Sequence, residues 1–185
     1  MPHDRRQPRT PPPPLDAPAL ERMALRYVER FATTRGRLVE YLRRKIRERG
    51  WDGEPADPVA IGERMAGLGY IDDRAFAEAR AAAMARRGLG ARRVADEFRA
   101  SGIDGADIAA LTPDVDARSC RAALTFARRK RIGPYGNTVV DRPAREKQIA
   151  AMLRAGHGFA LARRIAAMEP DVDFDPDVFC DGADA

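Results

Sequence analysis

Histidine is nearly missing from this chain of 185 residues: only His3 and His157 occur, and neither has a Cys or a second His at ligand spacing. That removes the usual imidazole from acid–base schemes and from zinc sites. His157, between Gly156 and Gly158, reads as a loop residue beside a helix stop. Cysteine is equally sparse. Cys120 falls in a helical pattern and Cys180 in an acidic tail, too few for a disulfide framework, and both read as free thiols. No apolar run approaches the roughly 20 residues of a membrane span, and the N-terminus lacks the apolar stretch of a secretory signal. Those gaps place the protein in the cytoplasm with no membrane partner. Aromatics make up 6% and charged residues 33%, which suits a thin or elongated helical fold more than one thick core.

Phosphate-cradling motifs are missing too. There is no G-x-x-x-x-G-K-[ST] or G-x-G-x-x-G, and "RGLGARR" at 87–93 follows a helix, not a strand. The tail "DVDFDPDVFCDGADA" has the alternating Asp of a calcium loop but neither its sixth-position Gly nor its twelfth-position Glu. The reading is therefore no enzyme, no cofactor and no metal.

What is present is positive charge. Glu169, Asp171, Asp173, Asp175, Asp177, Asp181 and Asp184 lie in the last 17 residues, so residues 1–168 hold 33 basic against 21 acidic residues, a net +12. Such a body attracts polyanions, either nucleic acid or an acidic protein groove. A tail of this kind is expected to be disordered and to fold back on the Arg-rich body or engage a partner. The opposite end, residues 1–16, holds six prolines and no apolar periodicity, and reads as a disordered arm outside the fold.

Between these ends the apolar residues recur at three and four, with frequent starts and stops and no strand pattern. The expected fold is all-α, an elongated curved array of three tandem three-helix repeats over 17–69, 70–111 and 112–168. Gly36 to Gly50 and Gly88 to Gly102 are the same length, which lays Leu42 on Val94 and Ile46 on Phe98. Gly156 matches Gly50 and Gly102, and the third repeat carries an insertion around "PYGNTVVDR". Trp51, Ile103 and Phe159 follow the stops as anchors, a short helix is expected over Asp104 to Leu111, and the third repeat should begin at Thr112-Pro113.

The stretch "GYIDDRAFAEA" holds adjacent carboxylates that could suggest a catalytic pair. Its spacing explains them locally: Asp72 as N-cap, Asp73 in the first turn at the positive helix end, Ile71 and Phe76 as a hydrophobic staple, and Gly69-Tyr70 as the turn before them. Alanines then give a slim helix of high propensity. On "RRVADEF" no Asn or Gln type base reader appears, so Arg92 and Arg93 would contact phosphates or carboxylates without sequence information.

With these residues in hand the chain resembles the RecX family of RecA regulators over about Ala17 to Met168. The signature positions are Gly69, Tyr70, Asp72, Asp73, Phe76 and Ala77, then Gly88, Val94, Phe98 and Gly102-Ile103. The resemblance implies a monomeric, cofactor-free protein that binds the RecA filament on DNA and inhibits strand exchange and ATP hydrolysis, acting on DNA repair and the SOS response. Its expected contact surface to RecA or DNA phosphates is Arg43, Arg44, Arg47, Arg86, Arg87, Arg92, Arg93, Arg128, Arg129, Lys130 and Arg131. The rival expectation is a helical protein that binds DNA alone and non-specifically, with steep salt dependence.

Overall fold

Side chains mark where the helices begin. Asp16 accepts a hydrogen bond from the Ala19 amide at 2.8 Å and opens α1 (Ala17–Arg30). Thr34 accepts from Arg37 at 3.1 Å and opens α2 (Arg35–Arg49), while Asp57 accepts from both Val59 and Ala60 to open α3 (Pro58–Gly67). Each cap satisfies amides that a helix cannot pair internally. The computed structural model describes residues 13–103 and 105–181, and the chain divides into two compact units, 1–72 and 73–185. In the first, the three helices close over Leu20, Ala24, Leu38, Leu42, Ile61 and Met65.

The second unit holds α4 (Asp73–Arg86), α5 (Ala91–Ala100), α6 (Gly105–Ala117), α7 (Ser119–Lys130), a 3-10 turn (Gly133–Tyr135), α8 (Arg142–Arg154), α9 (Phe159–Ala166) and α10 (Pro176–Asp181). Its core has two clusters. Ala77, Ala81, Met84, Val94, Phe98, Ile103 and Leu111 form one; Ala123, Leu124, Ala127, Ile132, Met152, Ala162 and Ile165 form the other. Ala77 and Ala81 of α4 are buried in the first of these, where small side chains keep the helix slim. Among the described residues the only β feature is a single parallel bridge between Leu15 and Trp51, so the fold is all-α as expected.

α4 begins at Asp73, with Asp72 in the preceding position, and Asp73 is the buried member of the pair at 6% exposure. Ile71 is buried in the first unit's core, and Phe76 packs against the second unit's first cluster. Both apolar residues of the expected staple thus contribute to a core cluster. The stop glycines Gly50, Gly102 and Gly156 all have positive φ, at 82°, 65° and 94°. A side chain there would be strained, which is why glycine ends these helices.

Four expectations are corrected. The arm is shorter than 1–16: residues 1–12 lie outside the described residues, but Leu15 is 0% exposed, its amide donating to Gly50 O at 3.0 Å and its carbonyl accepting from Asp52 at 2.8 Å. A single leucine after four prolines carries no periodicity, so its burial was invisible locally. Thr112-Pro113 starts nothing. α6 runs through it, because Leu111 is buried and Val115 half-buried on the same cluster. Packing offsets the proline's cost of roughly 3 kcal/mol, and the Thr112 hydroxyl donates to the Ile108 carbonyl at 2.9 Å. The expected first residue of the helix before it, Asp104, lies outside the described residues.

The two cysteines are not free thiols: Cys120 of α7 and Cys180 of α10 form a disulfide across a sequence separation of 60. Nor is residue 169 onward wholly disordered. Phe174 meets Tyr135 edge-on at 5.4 Å, and Phe174, Phe179 and Cys180 pack on the second cluster. Arg164 donates to the Phe179 carbonyl at 2.8 Å with its guanidinium 3.9 Å from that ring's centroid. Aspartates dominate this segment's composition, but it is the few apolar residues between them that dock it.

Two stability tests follow from these contacts. Leu15→Ala should cost about 2–5 kcal/mol in urea denaturation, the ordinary range for emptying a fully buried leucine site; a cost under 0.5 kcal/mol would remove Leu15 from the core. Cys180→Ser should lower the stability of the oxidised protein by up to roughly 4 kcal/mol from loop closure alone, and should have no such effect once the wild type is fully reduced.

Candidate polyanion-binding groove

Two turns of the second unit meet main chain to main chain. The Gly90 amide donates to the Ala155 carbonyl at 2.9 Å and the Arg92 amide to the Gly156 carbonyl at 3.2 Å. Neither glycine could carry a side chain: a Cβ on Gly90 would run into the Gly156 carbonyl, and one on Gly156 would lie 2.7 Å from the Arg93 amide. Gly88, at φ 73°, has a third such constraint, since its Cβ would lie 2.8 Å from the Phe126 amide.

His157 sits at this junction. It is 2% exposed, its amide donates to the Met152 carbonyl at 3.1 Å, and its Nε2 lies 3.1 Å from the Gly88 carbonyl. The Ile103 amide makes the equivalent bond to Phe98 at 3.1 Å. The residue that fills the anchor position after the third stop glycine is therefore His157; Phe159, expected there, is 60% exposed. Because only a donor satisfies the Gly88 carbonyl, Nε2 carries the hydrogen and Nδ1 is left as a bare, buried acceptor.

Seating these turns together leaves an open groove of about 670 Å³ at the surface. Arg87 from the end of α4, Arg93 from α5, Lys130 from the end of α7 and Arg154 from the end of α8 line it over a floor that includes Met84, Leu89 and Phe126. Among the described residues, none of these four cations has a carboxylate within ion-pair distance. Three of them stand in or next to the last turn of a helix, where the negative end of the dipole favours cations. Arg93 also donates to the Arg154 carbonyl at 3.1 Å, and Arg129 to the Arg87 carbonyl at 2.7 Å, which cross-links the rims. Arg80, paired with Glu97 at 3.0 Å, closes one side.

The basic residues expected as contacts thus separate. Arg87, Arg93 and Lys130 come together, and Arg154 joins them, missed by sequence reasoning although its place two residues before a stop glycine matches the alignment that placed Gly156. Arg86, Arg92, Arg128 and Arg131 are exposed nearby but do not line the groove; Arg131 has a left-handed φ of 54° that ends α7. Arg43 and Arg44 belong to the first unit and are engaged along their own helix, Arg43 with Glu40 at 3.2 Å and Arg44 with Glu48 at 3.6 Å. Arg47 is exposed in the last turn of α2. These cations over apolar side chains can hold phosphates or carboxylates, with Asp96 and Glu97, which also line the groove, engaged by Arg99 and Arg80.

Burial holds the His157 imidazole below its ordinary range, because the charged ring would lose its hydration, with the Gly88 carbonyl opposing in part. The folded chain thus takes up this proton less readily than the unfolded chain. Stability from His157 is complete above the unfolded value of about 6.5 and is lost as pH falls below it. The melting temperature should be level from pH 8 to 7 and decline between pH 6.5 and 5. His157→Gln, which keeps a donor for Gly88, should flatten that decline; an unchanged slope would assign the pH dependence to other groups.

Residues 72–111 match the family model described as RecX, second three-helix domain. The chain is 28% identical over 160 residues to Regulatory protein RecX of Myxococcus xanthus (strain DK1622), covering 82% of this chain and 86% of that protein. It is 29% identical over 149 residues to Regulatory protein RecX of Agrobacterium fabrum (strain C58), covering 78% of this chain and 80% of that protein. No described helix is long and apolar enough to cross a membrane.

Proposed function

We propose that this chain, which belongs to the RecX family, is a monomeric cytoplasmic regulator that binds the RecA filament on DNA and inhibits its ATPase and recombinase activities. The observation that carries the reading is the convergence of Arg87, Arg93, Lys130 and Arg154 from four helices on one groove. Filaments of protein on DNA present carboxylates and phosphates side by side, and fixed cations over an apolar floor suit both. The helices enclosing the groove include α4 and α5 of the matched three-helix domain. We further read the chain as three tandem three-helix repeats over 17–69, 70–111 and 112–168, supported by the positive φ shared by their stop glycines. Arg86, Arg92, Arg128, Arg129 and Arg131, and Arg43, Arg44 and Arg47 of the first unit, would extend the contact surface. The second reading, phosphate binding to DNA without RecA, is favoured by the same free cations, and salt dependence on naked duplex would reveal it.

The test is hydrolysis of ATP by RecA on single-stranded DNA, titrated with this protein. Wild type should inhibit below one copy per RecA. The triple reversal Arg87→Glu, Lys130→Glu, Arg154→Glu should raise the concentration for half inhibition roughly tenfold or more, with its helical circular dichroism and melting temperature retained. Equal inhibition by the folded variant would remove the groove from the interface, and no inhibition by wild type alongside tight DNA binding would favour the second reading.

A further inference from the structure

A second cationic surface lies in the first unit, and its chemistry differs. Along α1 three Arg–apolar pairs recur every four residues: Arg22-Met23, Arg26-Tyr27 and Arg30-Phe31. The helical repeat turns these into two adjacent stripes, one of cations and one of rings. Tyr27 stacks on Tyr41 of α2 with centroids 4.3 Å apart and planes 23° from parallel, and Phe31 adjoins Tyr27 at 5.2 Å with its plane tilted by 51°. Arg30 lies 5.3 Å from the Phe31 centroid and Arg44 5.6 Å from that of Tyr41. The stripes line an open groove of about 580 Å³ in which the sole carboxylate among the described residues is Asp16, already spent on capping α1.

Core packing accounts for only part of this. Tyr27 and Tyr41 pack against the first unit's core, whereas Phe31, in the extended backbone that ends α1, stays 48% exposed beside them. Among the described residues, Arg22, Arg26 and Arg30 have no carboxylate within ion-pair distance. An exposed ring beside a row of guanidinium groups without carboxylate partners is the arrangement that holds an unpaired base and its backbone phosphates at once. A duplex keeps its base faces covered, and an acidic peptide has no aromatic plane to offer at every step.

We propose that Phe31, Tyr27 and Tyr41, flanked by Arg22, Arg26 and Arg30, form a base-stacking platform for single-stranded nucleic acid. Phe31 takes the incoming base, and the Arg stripe follows the phosphates. The site is separate from the groove of the second unit and needs no RecA, so its test is run without RecA and stands or falls apart from the regulatory reading.

The experiment is fluorescence anisotropy of fluorescein-labelled dT15 with the full chain at fixed salt. Phe31→Ala should weaken binding roughly five- to hundredfold, and Phe31→Trp should restore it. The same variants should bind a 15-mer of abasic phosphates as wild type does, since no base remains to stack. Unaltered dT15 binding by Phe31→Ala would overturn the proposal. So would an equal loss on the abasic strand, or displacement of dT15 by a poly-glutamate peptide as effectively as by unlabelled dT15, which would assign the site to acidic protein. Because Phe31 is half exposed and outside the core, the variant keeps its fold; a melting temperature matching wild type verifies this in the same samples.

Discussion

The second unit depends on two glycine turns that touch through their main chains. Where Gly90 and Gly156 meet, the partners are amides and carbonyls at 2.9 and 3.2 Å, and any β-carbon would force the turns apart. Side-chain packing tolerates exchange of one apolar residue for another of similar volume, but a backbone contact of this kind has no substitute. Once the turns are seated, the ends of α4, α7 and α8 and the start of α5 are fixed around one point. The cations at those ends then have to share a groove.

The same contact explains why a histidine can be buried in a chain with so few. After the stop glycine the chain needs a residue whose side chain fills the space under the turn, and Ile103 does this with hydrocarbon alone. His157 does it with a ring that also satisfies the Gly88 carbonyl, which would otherwise lose a partner when Gly88 packs on Phe126. An unmet carbonyl in a dry site costs on the order of 1–3 kcal/mol, which the Nε2 hydrogen removes. The ring's second nitrogen is the residual cost of that arrangement.

Much of the fold was legible because its signals are local. Apolar residues recurring at three and four marked the helices, and the stop glycines declared themselves by equal spacing. What escaped was non-local. Leu15 is buried by a bridge to Trp51, α6 passes through Pro113 because of the residues on either side of it, and Cys120 finds Cys180 only after the acidic segment has docked. Composition misled in both terminal segments for one reason: prolines and aspartates outnumber the apolar residues, yet one leucine at one end and two phenylalanines at the other decide the placement. Within the basic surface, residue type was readable and grouping was not. Arg154 belongs with Arg87, Arg93 and Lys130 through a junction that joins positions some 60 residues apart, as the Arg93 to Arg154 hydrogen bond shows.

Arg-rich composition alone would scatter charge over every helix face, and a surface built that way would be mostly self-neutralised. The ion pairs observed follow that pattern along α2, where Glu40 and Glu48 take up Arg43, Arg44 and Lys45, and across α4 and α5, where Arg80 meets Glu97. Such exposed pairs add little to stability, typically below about 1 kcal/mol each, but they silence charges that would otherwise attract anions. Other cations, such as Arg47, Arg92 and Arg131, also have no carboxylate within ion-pair distance among the described residues, but the groove at the glycine junction and the stripe beside Phe31 each group several of them together. In both, cations border apolar side chains that stay partly accessible, Phe126 and Leu89 in one and Phe31 in the other. Like charges grouped in this way repel one another and do not stabilise the helices that carry them. Cations grouped beside accessible apolar side chains suit ligands that supply negative charge together with a surface to pack on.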